Sequence, residues 1–273
     1  MAMQTESDII PSVIRIVENN GFSLNRYKKT FIQRRIVLRM NACKISDVSK
    51  YLQLLKTPDE FEAFVKSISV NVTSFFRDVS PFDTIGRKII PVLASRPNLS
   101  GVLRVWSAGC ATGEEPYSVS ILLNERLRRT SLNYEIFATD RNQKALDHAS
   151  DGIYKESDIS KIDSLFKARY FTKFNADSYQ VSPQIRKPIT FRLEDISKPT
   201  TKKFDMIFCR NVMIYFEKQA QDVVVNNFYD SLKPGGFLVS GMDEVFVNEN
   251  FSNLFTPFDL KQKIFQKREK PLN

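Results

Sequence analysis

The 273-residue sequence predicts an α/β fold, a mostly parallel sheet of the nucleotide-binding type, on three observations. Val102-Leu-Arg-Val-Trp-Ser-Ala-Gly-Cys-Ala-Thr-Gly-Glu-Glu-Pro-Tyr117 reads as strand, glycine turn and helix start, the opening unit of such sheets. Asn133–Asp140 reads as a second strand that ends on an acid. Lys203-Phe-Asp-Met-Ile-Phe-Cys-Arg-Asn211 is an apolar run of the kind buried on both faces of a parallel sheet.

The first unit bears on the ligand. Its glycines are spaced Gly109-x-x-x-Gly113, so the G-x-G-x-x-G dinucleotide fingerprint is absent. Glu114 and Glu115 at the helix start suit the helix dipole but would repel phosphate. A ligand with hydroxyls, an amine or a sulfonium fits better; a plain strand-to-helix turn is the alternative. Asp140, at the end of the second strand, suits a carboxylate that binds two adjacent ribose hydroxyls.

Bulk properties narrow the class. Hydrophobic residues make up 42% and charged residues 26%, as in an ordinary globular protein. No apolar run approaches the ~18 residues of a membrane span, and the polar Met1–Ser7 stretch lacks a signal-peptide core. Cys43, Cys110 and Cys209 are sparse and odd in number, which predicts free thiols in a reducing cytoplasm. With one His and no Cys/His cluster, no metal site is expected. The net charge is +9, and residues 1–100 hold 15 Lys/Arg against 9 Asp/Glu. That excess suits an acidic partner, or solubility alone.

The N-terminal residues 1–79 read as a helical domain, with helices at Asp8–Asn19, Leu24–Met40, Ser46–Lys56 and Pro58–Ser69. Gly21 is the stop of the first. Thr57-Pro-Asp-Glu60 reads as a capping box with Pro at the first helical position. On the second helix Lys28, Arg35 and Arg39 share a stripe, and Tyr27, Phe31 and Leu38 form an apolar stripe toward the core. The basic stripe is either a docking surface for an acidic helix or a solvated face. In Asn71-Val-Thr-Ser-Phe-Phe-Arg77 the polar residues Asn71, Thr73 and Arg77 sit among apolar ones. They are either ligand contacts or helix caps and a structural ion pair.

Residues 80–100 read as a linker helix and loop, and 101–273 as the sheet domain. Residues 151–190 break the strand–helix alternation with a predicted hairpin, Tyr170–Phe174 with Ser178–Ser182, in an inserted antiparallel subdomain. A helix from Lys218 to Leu232, a turn at Lys233-Pro-Gly-Gly236 and a strand at Phe237–Gly241 follow, and Phe255–Gln266 closes the sheet as a hairpin. His148 lies on a helix and is read as structural.

Four segments together carry a family resemblance: Asn71-Val-Thr-Ser-Phe-Phe-Arg77, Trp106–Ser118, Cys209-Arg-Asn-Val-Met-Ile-Tyr-Phe216 and Leu232-Lys-Pro-Gly-Gly-Phe237. In this order and spacing the chain resembles the CheR-type chemotaxis-receptor glutamate O-methyltransferases over nearly its whole length. The resemblance implies a class I S-adenosylmethionine (SAM) methyltransferase, Rossmann-like, with a helical N-terminal domain and a small inserted antiparallel β-subdomain. It implies SAM as methyl donor, S-adenosylhomocysteine (SAH) as product and no metal. The acceptors would be glutamate carboxylates on the acidic cytoplasmic methylation helices of chemoreceptors. The enzyme would then be cytoplasmic and reach the membrane only through the receptor.

Carried over residue by residue, Asn71, Thr73 and Arg77 would close over SAM. Glu115 and Asp140 would hold its amino end and ribose between them. Asp195 and Ile196 would flank the adenine, and Arg210 and Asn211 would line the methionine portion. Arg77 and Tyr215 would sit nearest the methyl group. Lys28, Arg35 and Arg39 would meet the receptor helix. Members that bind a receptor's C-terminal pentapeptide carry a Gly-rich loop in the β-subdomain. Here Phe174-Asn-Ala-Asp-Ser178 has no glycine, which argues against such tethering. Three alternatives stand beside this reading: a SAM-dependent methyltransferase acting on nucleic acid or another protein, a non-catalytic SAM-binding signalling module and, given the absent fingerprint, least of all a nicotinamide dehydrogenase. No Asn/Asp-Pro-Pro-Tyr stretch of the DNA amine methyltransferases occurs at Arg210–Met213, so no nucleic acid is expected as partner.

Overall fold

The computed structural model describes residues 6–69, 72–96, 101–245 and 249–271. The chain resolves into two compact units, Met1–Val70 with Tyr215–Gln221, and Asn71–Ile214 with Asp222–Asn273.

The first unit is helical: α1 Glu6–Asn19, α2 Lys29–Ala42, α3 Val48–Leu54 and α4 Pro58–Ile68. Gly21 takes φ +82° just past α1, as its stop requires. Helix α2 begins later than the sequence suggests, because the backbone before it is committed elsewhere. Lys28 N donates to Tyr215 O at 2.9 Å, and Glu217 N donates to Arg26 O at 2.7 Å. The buried residues of α2 are Phe31, Ile32 and Ile36. Leu38, expected on the core side, is 49% exposed; two residues beyond Ile36 it points about 200° away.

The capping box at Thr57 does not form. Thr57 Oγ1 donates backward to Leu54 O at 2.8 Å, and no side chain caps α4. Glu60 is instead buried, accepting from Arg39 Nε at 3.0 Å and Tyr51 OH at 3.1 Å. A guanidinium and a phenol offer this carboxylate stronger bonds than one backbone amide would.

The strands of the second unit are β1 Val102–Ala108, β2 Asn133–Asp140, β3 Ile153–Lys155, β4 Phe171–Lys173, β5 Ser178–Val181, β6 Ile189–Leu193, β7 Phe204–Cys209, β8 Leu232–Ser240, β9 Phe255–Asp259 and β10 Ile264–Lys267. Seven form one sheet in the order β6-β2-β1-β7-β8-β10-β9. The first five run parallel, and β10 is antiparallel to both β8 and β9. This is the mixed sheet expected. Every residue of β7 is buried, including Asp205, which interrupts the apolar run and whose carboxylate accepts from Arg104 N at 2.9 Å and from Lys233 Nζ at 2.7 Å.

Helix Glu114–Leu127 and the helical run 79–94, which contains a π turn at Ile85–Ile89, cover one face. Ile85, Ile89 and Leu93 share a core with Leu103, Val105, Leu123 and Met206. The segment read as a linker is thus part of the sheet's packing. On the other face, Phe228 of helix Lys218–Ser231 meets the Trp106 ring edge-on at 5.3 Å.

The inserted subdomain is a three-stranded antiparallel sheet, β3-β5-β4. The expected hairpin is β4 with β5; β3 is an addition the sequence reading lacked. Tyr154, Tyr170, Phe171 and Val181 pack with Tyr117 and Ile121 of helix Glu114–Leu127. Lys233-Pro-Gly-Gly236, expected as a turn, lies inside β8, with Gly235 at φ +66° and a register shift against β7 absorbing the distortion. Among the described residues no helix is long and apolar enough to cross a membrane.

Candidate functional site

The site is assembled at the carboxyl ends of β1, β2 and β7, neighbours at the middle of the sheet. Ligands of open α/β sheets bind at such edges. After β1 the chain crosses toward β2: Gly109 N and Cys110 N both donate to Thr139 O, at 2.8 and 2.9 Å. Gly109 and Gly113 have φ of +83° and +98°, conformations suited to glycine. A Cβ on Gly113 would stand 2.7 Å from the Ala149 side chain and 2.8 Å from Tyr154 OH, so the loop tolerates no side chain there.

Two carboxylates hold this loop. Asp140 accepts from Ala111 N through Oδ2 and from Asn142 N through Oδ1, both at 2.9 Å. Burial pushes its pKa up, against the pull of the backbone amides. Glu115, one residue into the helix, accepts from Ser107 Oγ at 2.7 Å, and its other oxygen lies 3.9 Å from Arg210 Nη1. Burial raises the Glu115 pKa, while Arg210, Ser107 and Arg77 act to lower it.

Arg210 closes β7 with a side chain only 2% exposed. Its Nη2 donates to Asp78 Oδ2 and to Arg77 O, each at 2.8 Å. The segment carrying Thr73 and Arg77 is thereby tied to the sheet edge. Its two phenylalanines fasten it further. Phe75 packs against Tyr154 and Phe171 at 4.8 and 5.3 Å, and Phe76 N donates to Ser118 Oγ at 2.8 Å. The broken alternation at Phe75-Phe76 reflects these two anchors. Arg77 is half-buried and donates to Val72 O at 3.0 Å.

Asn211 follows in a left-handed conformation, φ +59°. The turn packs so tightly on Gly241 that a Cβ there would stand 2.6 Å from Asn211 N. A residue absent from the sequence reading fixes this turn. Glu244, 1% exposed, accepts from Val212 N (3.1 Å), Met213 N (3.0 Å) and Gly241 N (2.6 Å). Burial raises its pKa to about 7 despite those three donors. Ser107 and Asp78, which hold Glu115 and Arg210, were missed as well. The one sequence signal for Glu244 is an acid just beyond a strand end.

Other expected site residues fall as follows. Asp195 and Ile196 lie just beyond β6: Asp195 Oδ1 accepts from Ser197 N at 2.9 Å, its Oδ2 is 3.5 Å from Arg141 Nε, and Ile196 is 5% exposed. Thr73 is half-buried. Asn71 lies outside the described residues. Tyr215 belongs to the helical unit, where its ring packs on Phe31 at 4.7 Å. Of the basic stripe, Lys28 is exposed, and Arg35 lies over the Phe31 ring at 4.8 Å. Arg39 is a correction: its guanidinium pairs with the carboxylate of Glu60, 5% exposed, whose burial calls for an opposite charge, and is not free for an acidic partner.

Two buried polar atoms at the end of β7 lack hydrogen-bond partners, Arg210 Nε and Asn211 Oδ1. Buried polar groups need partners. With the underused carboxylate of Glu115 beside them, they suit a ligand that carries both an amine and a carboxylate. Asp140 adds an acceptor suited to hydroxyls. Among the described residues no group of three His, Cys, Asp or Glu is arranged to hold a metal. The thiols of Cys110 and Cys209 are buried and raised in pKa by burial, so neither is poised as a nucleophile.

Comparison with known proteins gives this geometry a family. Residues 71–262 match the CheR methyltransferase SAM-binding domain, and residues 15–69 match the CheR methyltransferase all-alpha domain. The chemotaxis protein methyltransferase of Borreliella burgdorferi is 34% identical, over 87% of this chain and 88% of its own length. Those of Salmonella typhimurium and Escherichia coli are each 33% identical over 90% of this chain, and over 84% and 85% of their own lengths. The chain belongs to the CheR methyltransferase family and is a SAM-dependent methyltransferase.

Proposed function

We propose that the protein transfers the methyl group of SAM to glutamate side chains of chemotaxis-type receptors, leaving glutamate methyl esters and SAH. The observation that carries this reading is the paired arrangement at the end of β7. Glu115 keeps acceptor capacity next to a buried Arg210 whose Nε has no partner. That pair suits the ammonium and carboxylate of the methionine moiety. Asn211 Oδ1 adds one acceptor. Asp140 takes the ribose hydroxyls, with Asp195 and Ile196 beside the adenine. Asn71 and Thr73 cover the cofactor.

When bound, SAM supplies a methyl on a sulfonium, open to in-line attack. A glutamate is already ionised at neutral pH, with an ordinary pKa of about 4.3, so no general base is needed. What the protein contributes is alignment, worth up to roughly 7–11 kcal/mol of barrier. Arg77 orients the acceptor carboxylate, with Tyr215 as a second aligner; the Tyr215 role rests on the R-N-V-M-I-Y-F run alone. Too firm a grip would stabilise the ground state and slow transfer. Lys28 and Arg35 meet the acidic methylation helix of the receptor, in the cytoplasm.

The test is incubation with methyl-labelled SAM and receptor-containing membranes, DNA and RNA in parallel. Base-labile label on receptor glutamates supports the reading. Base-stable label, or label on nucleic acid alone, would overturn it.

A further inference from the structure

A second feature, lined by none of the residues assigned to the methyl-transfer site, lies over the sheet, from the starts of β1, β7 and β8 across β2 and along β6 as far as Arg192. The crossover from β1 to β2 contains helix Glu114–Leu127, and that from β7 to β8 contains helix Lys218–Ser231. The crossover from β6 to β7 contains none: residues 194–203 pass in bends and turns. Parallel sheets are normally covered on both faces. Here the short crossover leaves a groove of about 710 Å³ over β6, β2, β1, β7 and the start of β8.

Its rim is basic: Arg104, Lys187, Arg192, Lys202, Lys203 and Lys233, with Glu135 the one acid. Three of the six cations are engaged. Arg104 pairs with Glu135 at 3.1 Å, Lys233 pairs with Asp205 at 2.7 Å, and Lys203 Nζ donates to Asp230 O at 2.6 Å. Lys187, Arg192 and Lys202 are exposed, and none has a carboxylate partner among the described residues. Lys202 lies over the Phe137 ring at 4.6 Å.

We propose that this groove binds an extended acidic segment of a partner protein. Charge complementarity sets the sign, and length sets the form. Five strands span four spacings of about 4.8 Å, roughly 19 Å, which matches about six extended residues. The floor argues against single-stranded nucleic acid. Phe137 and Phe204 are 7% and 2% exposed, so no open ring offers bases a stacking platform. The proposal is independent of the methyl-transfer reading, since none of these residues belongs to that site.

The test uses the full chain and a fluorescein-labelled octapeptide of Asp and Glu, against the matched Asn/Gln peptide, a poly-dT oligonucleotide and phosphatidylglycerol vesicles. At low salt the acidic peptide should bind at least tenfold tighter than the neutral one. The triple variant Lys187→Glu/Arg192→Glu/Lys202→Glu should lose at least tenfold in peptide affinity, with SAH affinity unchanged. Should that variant not fold, carbodiimide coupling of the peptide to the wild-type protein answers the same question, with adducts expected on Lys187 and Lys202. Equal binding of both peptides, adducts concentrated in residues 26–44, or an oligonucleotide or vesicle that outcompetes the peptide for the groove would each overturn the proposal.

Discussion

Glu244→Gln tests the turn that carries Arg210 and Asn211. In the wild type one oxygen accepts from Val212 N and Met213 N, and the other accepts from Gly241 N at 2.6 Å. Glutamine keeps the shape and the first oxygen but sets an NH2 against the Gly241 N–H. One lost bond with an unsatisfied buried donor costs about 1–3 kcal/mol. Against this stands the cost of ionising Glu244 in place. Its pKa rises from 4.5 unfolded to about 7 folded, burial being the main cause. At about 1.36 kcal/mol per unit, this is about 3 kcal/mol.

The sign follows from proton binding. Between pH 4.5 and about 7 the folded state holds a proton that the unfolded state has released. The stability Glu244 contributes is therefore full below the lower value and is lost as pH rises to the upper one. Glutamine does not titrate. At pH 5 the wild type should be the more stable, and by pH 8 the difference should close or reverse, a swing of about 3 kcal/mol. Urea unfolding followed by fluorescence of Trp106, the sole tryptophan, reads the sheet unit itself. Parallel stability profiles for the two proteins across pH 5–8 would refute the reasoning.

Three further outcomes are expected. Gly241→Ala puts a methyl 2.6 Å from Asn211 N, backbone that cannot yield cheaply; it should cost about 1–3 kcal/mol and weaken SAH binding, measured by calorimetry, whereas unchanged affinity would separate this contact from the site. Glu60→Ala removes the carboxylate that accepts from Arg39 and Tyr51 and that, despite its burial, its partners hold below the ordinary carboxylate pKa; the loss should be about 3–5 kcal/mol in thermal melts, with Glu60→Gln milder. Arg77→Ala should lower kcat at least tenfold with a smaller change in SAH affinity; near-normal turnover would remove Arg77 from the alignment of the acceptor.

Sequence pattern reached the strands of the parallel sheet because their burial is local. Val102–Ala108, Asn133–Asp140 and Phe204–Cys209 each announce themselves by an apolar run and a polar end. The three residues of Ile153–Lys155 are too few to show a period and become a strand only through pairing with Ser178–Val181. Thr57 and Glu60 have capping-box spacing, but Arg39, 21 residues from Glu60, offers a stronger partner. Leu38 lies off the buried face of α2 because the adjacent Phe31 and Ile32 permit two apolar stripes, and the one through Ile32 and Ile36 faces the core.

The site divides in the same way. Asp140, Glu115, Arg210 and Asn211 stand at strand ends or a helix start, where position alone marks them. Their supports do not. Asp78 reaches Arg210 across 132 residues, and Glu244 reaches Val212 across 32. Glu244 is marked locally only as an acid just beyond a strand end, and nothing in either segment signals which backbone or side chain it meets. The loop glycines were legible as glycines, yet what excludes a side chain at Gly113, the Ala149 methyl and the Tyr154 hydroxyl, is a fact of packing.

The most direct test of the account is calorimetric titration of SAH into the pure protein, with Glu115→Gln and Asp140→Ala alongside. One SAH should bind per chain, each substitution should weaken it at least tenfold, and Lys202→Glu should leave it unchanged. No binding heat with the wild type, or full affinity in both carboxylate variants, would contradict a cofactor held at the carboxyl ends of β1, β2 and β7.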